Sequence, residues 1–158
     1  MFYFHAYKVG MNNKSICIAG IGNTLRSDDG VGDYVCRLME EKNLDGVSTI
    51  IMQQLDIGMT EDFIKYDIVI FVDASIEEKA FSFQPLAVEN NQPQSFSHHI
   101  NAAMLVSLAQ VLYSASTRFY ICAVGADQFE MGNTISEKTM GNALASAAFL
   151  TGWIEVNH

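Results

Sequence analysis

A chain of 158 residues with 49% hydrophobic and 17% charged residues is long enough for one buried core and too apolar for a disordered segment. Its formal net charge of −9, with no Lys/Arg cluster, excludes nucleic-acid binding through a basic footprint. No apolar run reaches the roughly 18 residues of a membrane span, and the aromatic first ten residues lack the basic and apolar regions of a secretory signal.

Residues 1–14 are expected to be an extension, with Met11 an alternative start, and residues 15–158 a single domain. Ser15–Gly20 predicts a buried strand, and Val31–Lys42 a helix with Val31, Tyr34, Val35, Leu38 and Met39 on one face. Gly46 breaks the chain before a second strand, Val47–Met52, and Asp56–Tyr66 predicts a loop and short helix. Asp67–Asp73 is an uninterrupted apolar strand of the kind covered on both faces. Ala80–Val88 alternates and contains Pro85, which fits an edge strand. The polar stretch 90–96 predicts a loop. Ile100, Met104, Leu105, Leu108, Val111 and Leu112 then recur at helical spacing. Arg118–Val124 predicts another buried strand, and Glu137–Ile154 a closing helix. Strands alternating with helices predict a three-layer α/β/α sandwich around a mostly parallel sheet of about five strands, one edge strand antiparallel. The cysteines Cys17, Cys36 and Cys122 are odd in number and widely spaced, which predicts free thiols in a reducing cytoplasm. Cys17 and Cys122 fall inside apolar runs as core fillers.

The most informative segment is Gly20-Ile-Gly22-Asn23-Thr-Leu25-Arg-Ser-Asp28-Asp29-Gly30-Val-Gly32. Glycines between a strand and a helix suggest a phosphate cradle, but Asp28 and Asp29 would repel a phosphate from that helix end. The dinucleotide fingerprint also fails at Leu25, where Gly or Ala is required. G-x-S-x-G, H-E-x-x-H, P-loop and CxxC signatures are absent. Acids and histidines remain. In a parallel sheet ligands bind beyond the carboxyl ends of the strands; Asp29 follows the first strand and Asp73 closes the third. Of His5, His98, His99 and His158, the central pair opens a helix, where the dipole favours a neutral, ligand-competent ring. Asp29, Asp73 and one histidine make a set suited to nickel or zinc. Plainer readings compete at each position: a helix-end acid, a strand-terminating turn acid and a solvated histidine pair.

The glycine–acid segment resembles the N-terminal signature of hydrogenase maturation endopeptidases, which process the large subunit of [NiFe] hydrogenases. Val72-Asp73-Ala74, Ser97-His98-His99 ahead of the helix Ala102–Tyr113, and Phe129-Glu130-x-Gly132 with Ile135-Ser136 are similar to that family's later motifs, in order. The resemblance implies Asp29, Asp73 and His98 as the metal ligands and catalytic residues, with His99 the alternative to His98. It implies a nickel ion presented by the large-subunit precursor, with other divalent ions able to substitute, cleavage of that precursor's C-terminal extension, and a monomeric cytoplasmic enzyme. A non-cleaving chaperone of the same fold is the rival reading. Asn23 is expected to hold the turn, Asp28 to cap the helix or orient the metal site, and Leu55–Met59 to contribute to substrate choice.

Overall fold

The computed structural model describes residues 13–87 and 97–158, the side chains of 97–101 excepted. Residues 1–12, most of the expected extension, and the expected loop at 90–96 lie outside the described residues. Among the described residues, five strands form one sheet: β1 Ile16–Ile21, β2 Val47–Met52, β3 Ile68–Ser75, β4 Phe81–Leu86 and β5 Arg118–Gly125. Their spatial order is β2-β1-β3-β5-β4. All neighbours are parallel except β4 and β5, which are antiparallel. The helices are α1 Val31–Glu41, α2 Thr60–Phe63, α3 Ser97–Tyr113 and α4 Glu137–Asn157.

Alternation along the strands builds the two cores. In β1, Ile16 and Ile18 pack with Val35, Met39 and Leu150 of α1 and α4, while Cys17, Ala19 and Ile21 pack with Phe63, Leu105 and Ala109 of α2 and α3. A strand covered on both faces needs no polar positions, which is why β1 and β3 read as continuous apolar runs. Pro85 lies in β4 at the sheet edge, where a missing backbone donor is tolerated. The expected three-layer sandwich with an antiparallel edge is the observed architecture. Among the described residues, no helix is long and apolar enough to cross a membrane.

Two expectations are corrected. The strand predicted to end at Asp73 continues to Ser75, because β5 keeps pairing with it through Asp73↔Ala123 and Ser75↔Gly125. The apolar face of α3 is also different. Met104, Val111 and Leu112 are exposed, and the helix docks through Ala102, Leu105, Val106 and Ala109. α3 is apolar nearly all round, so periodicity left its face ambiguous; its alanines allow the closer approach to the sheet.

All three cysteines are fully buried. Burial pushes each thiol up to about 12, so none carries the thiolate needed for attack at neutral pH. A thiol reagent is therefore expected to label the native protein only on the timescale of unfolding, and three equivalents in denaturant. Rapid native labelling of even one cysteine would contradict the packing.

Candidate functional site

β1 delivers the chain into a tight turn. Gly22 takes φ +144°, a region an L side chain rarely adopts, and its N–H donates to the Met52 carbonyl at 3.0 Å. The Asn23 side chain accepts the Leu25 N–H at 2.9 Å, the self-bonded asparagine turn expected from sequence. Arg26 N–H returns to the Asn23 carbonyl at 3.0 Å, and a 3-10 turn over Ser27–Gly30 then feeds α1. Gly32 lets α1 begin directly on the strand ends: a Cβ there would lie 2.6 Å from the Ile21 carbonyl oxygen and 2.8 Å from that of Val72. The acid turn is thus pressed against the carboxyl ends of β1 and β3.

Asp29 and Asp73 both lie at this rim. Asp29 is 9% exposed, and its Oδ2 accepts the Asn23 N–H at 2.8 Å. Asp73 is 4% exposed, and its Oδ1 accepts the Ala74 N–H at 2.9 Å. Because Gly20 pairs with Val72, Asp73 lies beside the end of β1, one residue short of the glycine turn. Strand alternation puts Asp73 on the face shared with Phe71, the face that α3 covers. Two buried acids, each accepting a backbone N–H, present carboxyl oxygens at this rim, the donor type that suits a metal cation.

The topology brings the start of α3 to the same rim. β4 descends antiparallel to β5, ending with Leu86 beside Phe119, and α3 leads directly into Arg118 at that lower end. A 17-residue helix spans about 25 Å, as much as an eight-residue strand, so its first turn stands at the carboxyl rim. Ala102 accordingly packs in the cluster containing Ile21 and Leu55. His98 and His99 lie in that first turn, and their side chains are outside the described residues. Among the described residues no three His, Cys, Asp or Glu side chains form a metal-sized group.

Asp28 behaves unlike its neighbour, and the expectation that it caps the helix it precedes is corrected. α1 has no side-chain N-cap. The Asp28 carboxylate is fully buried and turns to the far end of the chain. It accepts the N–H groups of Asp127 (3.3 Å), Gln128 (3.0 Å) and Ser136 (2.7 Å) and the hydroxyls of Ser136 (3.0 Å) and Thr139 (2.9 Å). Burial pushes this carboxyl up, but the bonds from Ser136, Thr139, Gln128 and Asp127 outweigh it and hold it below the ordinary carboxylate range. Hydrogen bonds to a charged group are worth about 1.5–3 kcal/mol each before desolvation. The backbone adds to the seam: Ser27 N–H donates to the Gly132 carbonyl and Gly132 N–H to the Leu25 carbonyl, both at 2.9 Å. Sequence reading missed this arrangement. Its only local trace is Ser136-x-x-Thr139, which places the α4 N-cap and a second hydroxyl one turn apart.

In the Leu55–Met59 segment, Leu55 is buried and Asp56 Oδ1 accepts the Gly58 N–H at 2.6 Å. The segment is a short capped turn beside β2.

No family model and no curated protein sequence matches the chain. Solved structures do. The hydrogenase maturating endopeptidase HybD from E. coli superposes with TM-score 0.72 at 15% identity, covering 90% of this chain and 93% of that one. A [NiFe] hydrogenase maturation protease HybD from Thermococcus kodakarensis gives 0.71 at 14% identity, covering 88% and 98%. A hydrogenase 2 maturation peptidase from the Thaumarchaeota archaeon SCGC_AB-539-E09 gives 0.66 at 22% identity, covering 89% and 98%. The chain has the fold of the hydrogenase maturation proteases over nearly its full length.

Proposed function

We propose that this protein is an endopeptidase that removes the C-terminal extension of a nickel-loaded [NiFe] hydrogenase large-subunit precursor. The observation that carries the reading is the placement of two buried acids, Asp29 and Asp73, at the carboxyl ends of the adjacent strands β1 and β3, in a fold shared with proteins named for this activity.

Nickel is part of the substrate in this reading, carried by the precursor. Carboxylates joined by an imidazole are suitable donors for it. Asp29 would offer the oxygen left over from its bond to Asn23, and Asp73 would approach from the α3 face. Position 98 lies on the line of α3 that continues through Ala102, Leu105 and Ala109, the face that docks on the sheet. Position 99 stands at helical spacing with Ala102 and Val106 of the same docked face, so spacing admits either histidine, and the resemblance of the motif favours His98 as the third ligand. The bound ion would polarise the scissile carbonyl or acidify a water. The chain's own residues fix the approach: the glycine turn sets Asp29 and β3 sets Asp73. No Ser or Cys nucleophile is required, in keeping with three buried, protonated thiols.

The test is incubation of the purified protein with nickel-loaded and nickel-free precursor, followed by intact-mass analysis. Loss of the C-terminal extension in the loaded sample alone is the expected result. A stable complex with no mass change in either sample would replace the protease by a precursor-binding chaperone.

A further inference from the structure

We propose that Asp28 is a positioning residue, whose buried carboxylate ties the 126–136 segment and the start of α4 to the glycine turn and so holds Asp29 in place. Its effect on turnover rests on the peptidase reading above; its effect on the position of Asp29 does not.

Three observations carry it. First, the segment between β5 and α4 has no helix or strand of its own, so its shape depends on contacts made elsewhere. Five donors from Asp127, Gln128, Ser136 and Thr139 converge on one carboxylate, and Asp28 N–H itself donates to the Gln128 carbonyl at 2.9 Å. Second, no cation pairs with Asp28 among the described residues. Its charge is met by N–H and O–H groups, three of them from the N-terminal end of α4, where the helix dipole also favours an anion. The strap is therefore directional: it needs an acceptor on both oxygens. Third, Asp28 and Asp29 share the 3-10 turn Ser27–Gly30, and Asp29 N–H is bonded to the Arg26 carbonyl at 3.1 Å. A shift of Asp28 away from α4 rotates this turn as a unit and carries the Asp29 carboxylate off the Asn23 N–H. The adjacent acids divide the work, one facing inward to fix the turn and the other facing the rim.

The Asn23 amide reports the position of Asp29, because it donates to Asp29 Oδ2. Residue-resolved hydrogen exchange and precursor kinetics on Asp28→Asn and Thr139→Val test the proposal. Asp28→Asn keeps the shape but sets an NH2 against groups that are all donors. Thr139→Val removes one donor and leaves the acid. In Asp28→Asn the amides of Gln128, Ser136 and Asn23 are expected to exchange about tenfold faster while those of Ile18 and Val69 are unchanged. kcat is expected to fall about 10- to 100-fold, the usual cost of an outer-shell partner, and KM to rise, because a displaced Asp29 holds the precursor's nickel less well. Thr139→Val should show the same pattern more weakly. Faster exchange at Gln128 and Ser136 with Asn23 protection and kcat at wild-type values would overturn the proposal, leaving Asp28 a staple for α4 alone. Should Asp28→Asn not fold, Thr139→Val decides by the same comparison, and unchanged exchange at all three amides counts against the proposal. Absence of cleavage by the wild-type protein would remove the peptidase reading and leave the exchange result to stand.

Discussion

Asp29→Ala is expected to abolish precursor processing, by at least about 100-fold, since even the outer-shell partners of a bound metal cost 10- to 100-fold when lost. The fold should survive. Asp29 lies at the rim, and the change frees only the Asn23 N–H, which is half-buried and can take a water in exchange. The expected stability cost is about 1–2 kcal/mol, the loss of one hydrogen bond to a carboxylate that water partly replaces. Asp29→Asn sharpens the result. Its amide oxygen can keep the bond from Asn23 N–H, so the turn is preserved while the anionic ligand is gone. Both variants should retain the wild-type melting profile within a few degrees, both should leave the precursor uncut, and both should bind nickel-loaded precursor more weakly. Normal processing by Asp29→Asn would show that the charge is not used, and the metal-ligand reading of this residue would go with it.

The layered architecture was legible in the residues because each buried strand is a short apolar run closed by a turn signal, and because Pro85 marks an edge. The glycine–acid turn was legible for a different reason: backbone crowding that only glycine tolerates leaves a fixed spacing in the sequence. What escaped was set by contacts distant along the chain. Asp28 and Thr139 are 111 positions apart, and nothing local distinguishes an acid that caps the next helix from one that caps the last. The continuation of β3 past Asp73 follows from the length of its partner β5, which Asp73 itself does not encode. Bulk is a poor guide to the docked face of α3, where Ala102 and Ala109 join Leu105 and Val106 while Met104, Val111 and Leu112 stay exposed. The candidate ligands stand in between. Asp29 and Asp73 were singled out by their place after apolar strands and do share a rim, while His98 rests on topology and on the resemblance of its motif.

Gly22→Ala is expected to injure stability and site together. At φ +144° the substitution is strained whatever space is present, and a Cβ would lie 1.9 Å from the Asp29 carbonyl oxygen and 3.0 Å from its carbonyl carbon. Backbone cannot swing aside as a side-chain tip can, so the turn must open. Positive-φ strain and overpacking together cost about 2–4 kcal/mol, which for a chain of this size lowers the melting temperature by roughly 5–15 °C. Opening the turn also carries Asp29 away from Asn23, so processing by the folded fraction should fall about 100-fold, the scale associated with a displacement of about 1 Å at a reacting centre. Gly141→Ala is the matched control. A Cβ at Gly141 meets nothing within 4 Å, and in a helix the exchange should stabilise by about 0.5–1 kcal/mol with processing unchanged. Thermal melts, the Asn23 amide shift and the mass-based processing assay on the two variants separate a crowded turn from a general intolerance of added methyls. A Gly22→Ala protein as stable as wild type, with the Asn23 amide unmoved and the precursor cut at the normal rate, would mean that the turn does not set Asp29.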